Sequence, residues 1–287
     1  MAGFAIPLPL VIDSVLLEWL REDVGRGDQT TQALFADVRG SMGEAVWVAK
    51  QDGVVAGLPI AARVFRLLDP EGVFAVHVAE GDRCVVGQTI ASLQGEVRAL
   101  LTGERVALNI AMRLSGIATM TRQYAERIAD LPVRLVDTRK TTPGMRVLEK
   151  YAARVGGAVN HRMGLDDAVM LKDNHIAAAG GVGPAIALVR KHCPYPLTVE
   201  VEVETLAMVE AAVEHQADII MLDNMPLDLM RKAVEMIRQR NSQIKIEASG
   251  NVTLETIRAI AETGVDYISS SAPMTRSPWL DLSMKMN

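Results

Sequence analysis

The chain has 287 residues, 49% of them hydrophobic and 23% charged, with a formal net charge of −5. That length holds one large or two modest domains, and the composition is that of a well-cored globular protein. The acidic balance excludes a general nucleic-acid surface, which needs a basic face. Cys84 and Cys193, far apart and without metal-ligand spacing, exclude a disulfide framework and fit a reducing compartment.

The N-terminal M-A-G-F-A-I-P-L-P-L-V-I is apolar, but it lacks the basic start of a signal peptide and is interrupted by Pro7, Pro9 and Asp13. No later run reaches the roughly 18 apolar residues of a membrane span. A cytoplasmic protein without a membrane partner is expected. Val15, Leu16, Trp19 and Leu20 then recur at helical spacing, predicting a helix over 12–24 with Asp13 or Ser14 as N-cap and Gly25-Arg26-Gly27-Asp28 as its stop. A-V-W-V-A (45–49), G-V-V-A-G (53–57), V-F-A-V-H-V (73–78) and T-I-A-S-L (89–93) read as strands, and I-A-A-R-V-F-R-L-L (60–68) as a helix. This irregular mixture predicts a separate α/β sandwich domain over 1–114. From Glu96 to about Asp130 the pattern is helical, with a break expected near Gly116. Arg98, Glu104, Arg105 and Arg113 on it read equally as solvated helix charges or as site residues.

After Leu131-Pro132 the pattern changes. Seven short apolar runs follow, most ending on polar or charged side chains, with helical stretches at 144–155, 182–193, 204–216, 226–240 and 253–263. Strands alternating with helices of that length indicate parallel βαβ units. Seven strands rather than eight predict an irregular α/β barrel over 115–276, with 277–287 returning to the first domain. The connection over Met163 to Asp167 is too short for a helix. Gly180-Gly181-Val182-Gly183 lacks the Lys-Ser/Thr of a phosphate-binding P-loop and reads as a plain loop.

Chemistry collects where parallel strands end. The first three runs close on cations or potential cations: Arg139 and Lys140, then His161 and Arg162, then Lys172. Together they ask for a strongly anionic ligand, one carrying carboxylates or phosphates. In V-E-V-E-V-E the carboxylates of Glu200, Glu202 and Glu204 share one strand face. Glu200 reads as a structural ion pair with Lys172, Arg139 or Lys245 or as a site residue, Glu202 as functional, and Glu247 as a deep structural carboxylate. Glu202 and Asp223 end consecutive strands; they suit Mg²⁺, ribose hydroxyls, or positive charge developing on a sugar carbon. Ser249-Gly250-Asn251, before a helix expected from about Thr253, is a candidate anion turn. His161 is no metal-site candidate, since the five histidines lack ligand spacing, and a carboxylate ligand is its expected role. Asn174 and His175 are expected to support Lys172.

The chain resembles the quinolinate phosphoribosyltransferase family through an ordered set of motifs. They are E-D-V-G-R-G-D-Q-T-T (22–31), G-E-R-V-A-L-N (103–109), D-T-R-K-T-T-P-G (137–144), N-H-R-M-G-L (160–165), L-K-D-N-H (171–175), E-V-E-V-E (200–204), L-D-N (222–224) and A-S-G-N (248–251). The resemblance implies an open-faced sandwich for the first domain and a decarboxylating glycosyl transfer for NAD biosynthesis. Its substrates would be quinolinate and phosphoribosyl pyrophosphate (PRPP), with Mg²⁺ as cofactor. It implies substrate binding by Arg105, Thr138, Arg139, Lys140, His161, Arg162, Lys172, Glu202, Asp223, Ser249, Gly250, Asn251, Ser271 and Ala272. Lys140, Glu202 and Asp223 would act in catalysis, and Glu202 and Asp223 at the metal. It further implies a homodimer, open to further assembly, in which Arg105 reaches the neighbouring subunit's site. The sequence departs from the family at Ser271-Ala272-Pro273-Met274-Thr275, where many members carry G-A-x-T-H; Thr275 or Arg276 is the expected substitute for that histidine. Two rival readings use the same residues: a related transferase associated with molybdenum transport, and a silent barrel sensing an anionic nucleotide. The intact L-K-D-N-H and N-H-R segments speak against the first and the full set of strand-end charges against the second.

Overall fold

The protein is described by a computed structural model covering residues 6–37 and 40–287, so the apolar start read at residues 1–5 lies outside the described residues. In chain order the elements are α1 (Pro9–Val24), α2 (Gln29–Leu34), β1 (Met42–Ala49), β2 (Gly53–Val54), α3 (Leu58–Leu68), β3 (Val73–Val76), β4 (Arg83–Cys84), β5 (Thr89–Glu96) and α4 (Val97–Glu126). They continue with β6 (Arg134–Val136), α5 (Arg146–Gly156), β7 (Val169–Leu171), α6 (Asp173–Ala179), α7 (Val182–His192), β8 (Val199–Val203), α8 (Leu206–Glu214) and β9 (Ile219–Asp223). The last are α9 (Leu227–Arg240), β10 (Lys245–Ser249), α10 (Ile257–Ala261), β11 (Tyr267–Ser269), α11 (Ala272–Thr275) and β12 (Leu282–Met286). The chain divides into two compact units: 1–122 with 142–156 and 276–287, and 123–141 with 157–275. Among the described residues no helix is long and apolar enough to cross a membrane.

The first unit is built on a four-stranded antiparallel sheet in the order β12-β1-β5-β3. Alternation along β1 buries Trp47, whose ring meets Phe74 edge-on at 5.4 Å and Phe65 of α3 at 6.2 Å. Helix α1 starts earlier than predicted, because Pro9 stands at its first position after the extended Leu8, with no side-chain cap. Asp13, expected as a cap, instead accepts from Arg63 Nε and Nη2 at 2.8 and 2.6 Å. Nor does Gly116 break α4, which runs on for 30 residues. Its lack of a side chain serves close packing: a Cβ there would lie 2.0 Å from the Pro278 carbonyl oxygen. Arg113 is not a solvated helix charge either. It donates to Glu149, at 2.8 Å from Nη2, and to Ser277 Oγ at 3.0 Å, and Glu149 is fully buried.

The second unit carries a parallel sheet in the order β6-β11-β10-β9-β8-β7. Six strands stand where the sequence predicted seven. The second apolar run contributes one bridge residue, Val159, paired with Val136. The cause lies just beyond it: the backbone N–H of His161 and the side-chain amide of Asn160 both donate to the Asp137 carboxylate. A main-chain donor that would extend a ladder is thereby turned to a side chain. Among the described residues no ladder joins β7 to Val159 or to β6, so the hydrogen bonds define an open six-stranded sheet with a bridge at one edge.

The crossover helices present apolar stripes to this sheet, as Val209, Ala212 and Val213 of α8 and Met230, Ala233, Val234 and Ile237 of α9 show by their burial. Helix α6 was not predicted; it is seven residues long and closes on Gly180 at φ 82°, with Gly181 at φ 135° opening α7. The glycine pair is thus a joint between two helices, using positive φ values that side chains rarely adopt.

Candidate active site

The sequence places chemistry at the carboxyl ends of the parallel strands, and the second unit gathers most of it there. After β6 the chain passes Asp137, which is 2% exposed, and reaches Thr138, Arg139 and Lys140. The Thr138 hydroxyl accepts the Lys140 backbone N–H at 3.1 Å, fixing a tight turn that leaves Arg139 half-buried and Lys140 exposed. Asp137 reaches across to the next segment, accepting the His161 N–H at 2.8 Å and the Asn160 amide at 2.5 Å. One buried carboxylate therefore fixes the spacing of the Arg139 and Arg162 loops.

His161 and Arg162 follow that clamp. The Arg162 backbone N–H lies 2.8 Å from His161 Nδ1. A backbone N–H only donates, so Nδ1 accepts and the ring proton sits on Nε2. That Nε2–H faces Glu200 Oε2 at 3.0 Å, with Glu247 Oε2 at 3.7 Å. The Arg162 guanidinium donates to the Ala168 carbonyl at 2.8 Å and lies 3.6 Å from Met170 Sδ. Burial, together with the nearby Arg139, lowers its pKa, and Glu200 opposes the shift.

On β8 the burial falls off toward the strand end: Glu200 is buried, Glu202 half-buried and Glu204 exposed. Glu200 partners His161 rather than any of the three cations the sequence offered. Lys172, at the end of β7, instead meets Glu202 Oε2 at 2.6 Å. His175 supports Lys172 by accepting its backbone N–H at 3.0 Å, and among the described contacts Asn174 makes no such bond. Deepest lies Glu247 of β10, 3% exposed. Burial first, and the charge of Glu200 second, push its carboxyl up to about 7; His161 and Ser269 pull the other way.

Glu200 and Glu247 each keep one buried carboxylate oxygen without a partner among the described residues, and with His161 they form a group whose ligating atoms lie within 4.8 Å. The tautomer argues against a metal there, because coordination needs a bare Nε2 and the proton occupies it.

Asp223 closes β9 and accepts the Asn224 amide at 2.8 Å. Asn224 (φ 51°) and Asn251 (φ 49°) both adopt left-handed backbone, and Asn251 Nδ2 donates to Asn224 Oδ1 at 3.0 Å. Between them Gly250, at φ 95°, passes so close that a Cβ would sit 2.2 Å from Asn224 Oδ1. The Ser249-Gly250-Asn251 turn is thus braced from β9. It is not a direct helix start: regular helix begins at Ile257, after a turn in which Thr253 and Thr256 exchange hydrogen bonds.

Ser271, half-buried after β11, uses its carbonyl to accept from Met274 N, Thr275 N and Thr275 Oγ1, while Ala272 is buried. The Thr275 hydroxyl is therefore bound back to its own turn, and Arg276 falls in the first unit. Arg105 lies exposed on α4, also in the first unit.

Sequence reasoning did not single out Asp137, Asn160 or Asn224 as organising residues. Each stands beside a strand-end charge in a motif already quoted, and that adjacency was the available signal.

Comparison with known proteins places these residues in context. The family model described as "Quinolinate phosphoribosyl transferase, N-terminal domain" matches residues 28–115, and the one for the C-terminal domain matches 117–285. A probable nicotinate-nucleotide pyrophosphorylase (carboxylating) of Synechocystis sp. is 60% identical over 281 residues, which is 98% of this chain and 94% of the relative. A protein of the same name from Bacillus subtilis is 44% identical over 96% of this chain and 93% of its own length. Among solved structures, NadC from Streptococcus pyogenes is 46% identical, covers 99% of both chains and superposes with a TM-score of 0.93.

Proposed function

The chain belongs to the quinolinate phosphoribosyltransferase family, and from that premise we propose how its strand-end residues carry the family's reaction. The enzyme transfers the phosphoribosyl group of PRPP to quinolinate with decarboxylation, giving nicotinate mononucleotide, CO₂ and pyrophosphate for NAD biosynthesis. One observation carries the residue assignment. Arg139 and Lys172 follow β6 and β7 of one parallel sheet, Arg162 follows the Val136–Val159 bridge at its edge, and Lys172 meets Glu202 of β8 at 2.6 Å, with Asp223 ending the neighbouring β9.

In this reading the two quinolinate carboxylates meet Arg139, Arg162 and Lys172, with Thr138 shaping the turn and His161 in the same wall, its ring already engaged. Arginine suits the task because its planar fork matches a carboxylate. Lys140 and Lys172 meet phosphate oxygens of the donor. Ser249, Gly250 and Asn251, with Ser271 and Ala272, hold its 5-phosphate through backbone N–H groups. Held in line, the quinolinate nitrogen attacks C1 of the ribose while pyrophosphate leaves. Glu202 and Asp223 stabilise the positive charge that develops at that carbon. In the N-ribosylated ring the positive nitrogen then stabilises the carbanion left as the adjacent carboxylate departs as CO₂, and a proton from solvent at that carbon completes the product.

Glu202 and Asp223 are hard oxygen donors on adjacent strands. Such a pair fits Mg²⁺, which binds one or two carboxylates along with substrate phosphates. When bound, the ion would neutralise pyrophosphate charge. Lys172, now 2.6 Å from Glu202, must yield that oxygen for either group to serve.

We further propose that the enzyme is a cytoplasmic homodimer in which Arg105 of one subunit completes the acceptor site of the other. The sheet with its Val136–Val159 bridge would be the wall of an irregular barrel. Support for the dimer comes from the family resemblance, and for the compartment from the free Cys84 and Cys193. The experiment that tests the reaction is release of ¹⁴CO₂ from carboxyl-labelled quinolinate. Release should require PRPP and proceed one for one with pyrophosphate. PRPP-independent release, or none, would overturn the assignment.

A further inference from the structure

Beneath the strand ends, three side chains from three elements face one another: His161 from the loop after Val159, Glu200 from β8 and Glu247 from β10. Around them stand Asp137, which holds the His161 backbone, and Ser269 of β11, which hydrogen-bonds Glu247. Three occupants suit such a cluster: a metal ion, a substrate carboxylate, or an extra proton.

The His161 ring decides among them. Its Nδ1 accepts the Arg162 backbone N–H at 2.8 Å, so its single proton is on Nε2, directed at Glu200 Oε2 at 3.0 Å. A metal would need that nitrogen bare. A substrate carboxylate would need the same N–H as donor, and Glu200 already takes it. Two carboxylates around one N–H are best accommodated when they share an additional proton, as paired acids do. Glu247, the deeper of the two, is the member whose affinity for a proton is raised.

We propose that His161 is a positioning residue rather than a substrate ligand: Glu200 and Glu247 fix its ring, and the ring, through Nδ1, fixes the backbone of Arg162. The consequence is an Arg162 guanidinium held in register from both sides, by the His161 contact at its own backbone and by Ala168 at its tip. The proposal rests on the reading of Arg162 as a ligand of the quinolinate carboxylate. It assigns Glu200 and Glu247 to the acceptor's affinity without contact with the acceptor.

Two amide substitutions separate the alternatives, because each mimics a different ring nitrogen. In His161→Asn the Oδ1 takes the place of Nδ1 and still accepts from Arg162 N–H. In His161→Gln the amide takes the place of Nε2 and keeps the donor toward Glu200. The expected result is a KM for quinolinate within about threefold of wild type for His161→Asn and about tenfold or more higher for His161→Gln, with kcat changed less in both. The reverse order makes Nε2 the important atom and overturns the proposal, and equal effects of the two do the same. The ¹⁵N spectrum of wild-type imidazole supplies a check that depends on no variant. His161 should show an unprotonated Nδ1 with and without quinolinate, and a protonated Nδ1 overturns the proposal even where a variant fails to fold. That spectrum needs no turnover. A wrong substrate would appear as absent CO₂ release, and a wrong role for His161 as the wrong tautomer.

Discussion

Glu247→Gln tests the buried carboxylate pair through stability rather than activity. Glu247 is 3% exposed, and burial together with the charge of Glu200 pushes its carboxyl from 4.5 up to about 7. An acid whose folded value lies above its unfolded value keeps its proton longer in the fold. The unfolded chain then binds fewer protons as pH rises, and stability falls. The contribution is fully present below about pH 4.5, declines through the interval up to about pH 7, and is level beyond. Relative to a non-titrating amide, the wild type should lose about 2 to 3 kcal/mol between pH 5 and pH 8. For a chain of this length that is about 5 °C or more in Tm. The assay is thermal unfolding of both proteins across that range, plotted as the difference in Tm. The variant should gain steadily on the wild type up to about pH 7 and then hold its lead. A difference independent of pH would refute the reasoning, since it would mean Glu247 holds the same proton folded and unfolded.

Arg162→Ala and Arg139→Ala should each raise the quinolinate KM by roughly tenfold to over a hundredfold, since a charge-assisted pair contributes about 1.5–3 kcal/mol. Efficient use of nicotinate, which lacks the second carboxylate, by the wild type would count against that pocket. Chelation of divalent metal should abolish turnover and leave the melting transition nearly unchanged; loss of the fold would reveal a structural ion. Gly116→Ala should destabilise the protein by roughly 1–3 kcal/mol even though alanine favours helix, because its Cβ would meet the Pro278 carbonyl oxygen at 2.0 Å; a variant as stable as wild type would show that the 278 segment moves at little cost. Mixing inactive Arg105→Ala with inactive Lys140→Ala should restore about a quarter of wild-type activity if subunits exchange and share sites, because half the dimers are mixed and each has one intact site. Confirmed exchange without recovered activity would exclude the shared site.

The strand-end pattern was legible because it is local. A short apolar run ending in a polar side chain marks one strand and its tip in six of the seven cases, where β6, β7, β8, β9, β10 and β11 lie. The run before Asn160 was misread for a physical reason: its hydrophobicity is that of a strand, but Asp137 captures the next main-chain donor. No periodicity records such a competition between a distant side chain and a ladder. Gly116 misled in the same way, since a glycine in a helix reads as a break when its neighbour across space, Pro278, is 162 positions away in sequence. Asp13 resembled a cap and proved to be the partner of Arg63, again a contact over a long separation. Charges could be placed on strand ends from the sequence, but which pairs they form depends on the order of strands in the sheet. Glu200 had three cations to choose from and took His161.

That choice bears on how the two substrate ends communicate. Strands β7 and β8 are neighbours in register, Leu171 beside Val201, so the next residues along, Lys172 and Glu202, meet across the gap at 2.6 Å. In the proposed reaction Lys172 serves the acceptor carboxylate as well as the donor phosphates, and Glu202 serves the ribose or the metal. A quinolinate carboxylate arriving at Lys172 draws it from Glu202, and the released carboxylate becomes available to the metal or the ribose. The Lys172 end of the pair is 44% exposed, so water and the incoming carboxylate can replace what it gives up, while Glu202, 13% exposed, needs the metal or the ribose to take its place. Each substrate should therefore modestly favour the other, and by linkage to the same extent. The contrast with Glu200 is instructive: buried and held by His161, it has no role that requires release. Strands β8 and β10 thus divide their carboxylates by depth: in the proposed reading the buried Glu200 and Glu247 hold the arginine wall, and the half-buried Glu202 changes partners.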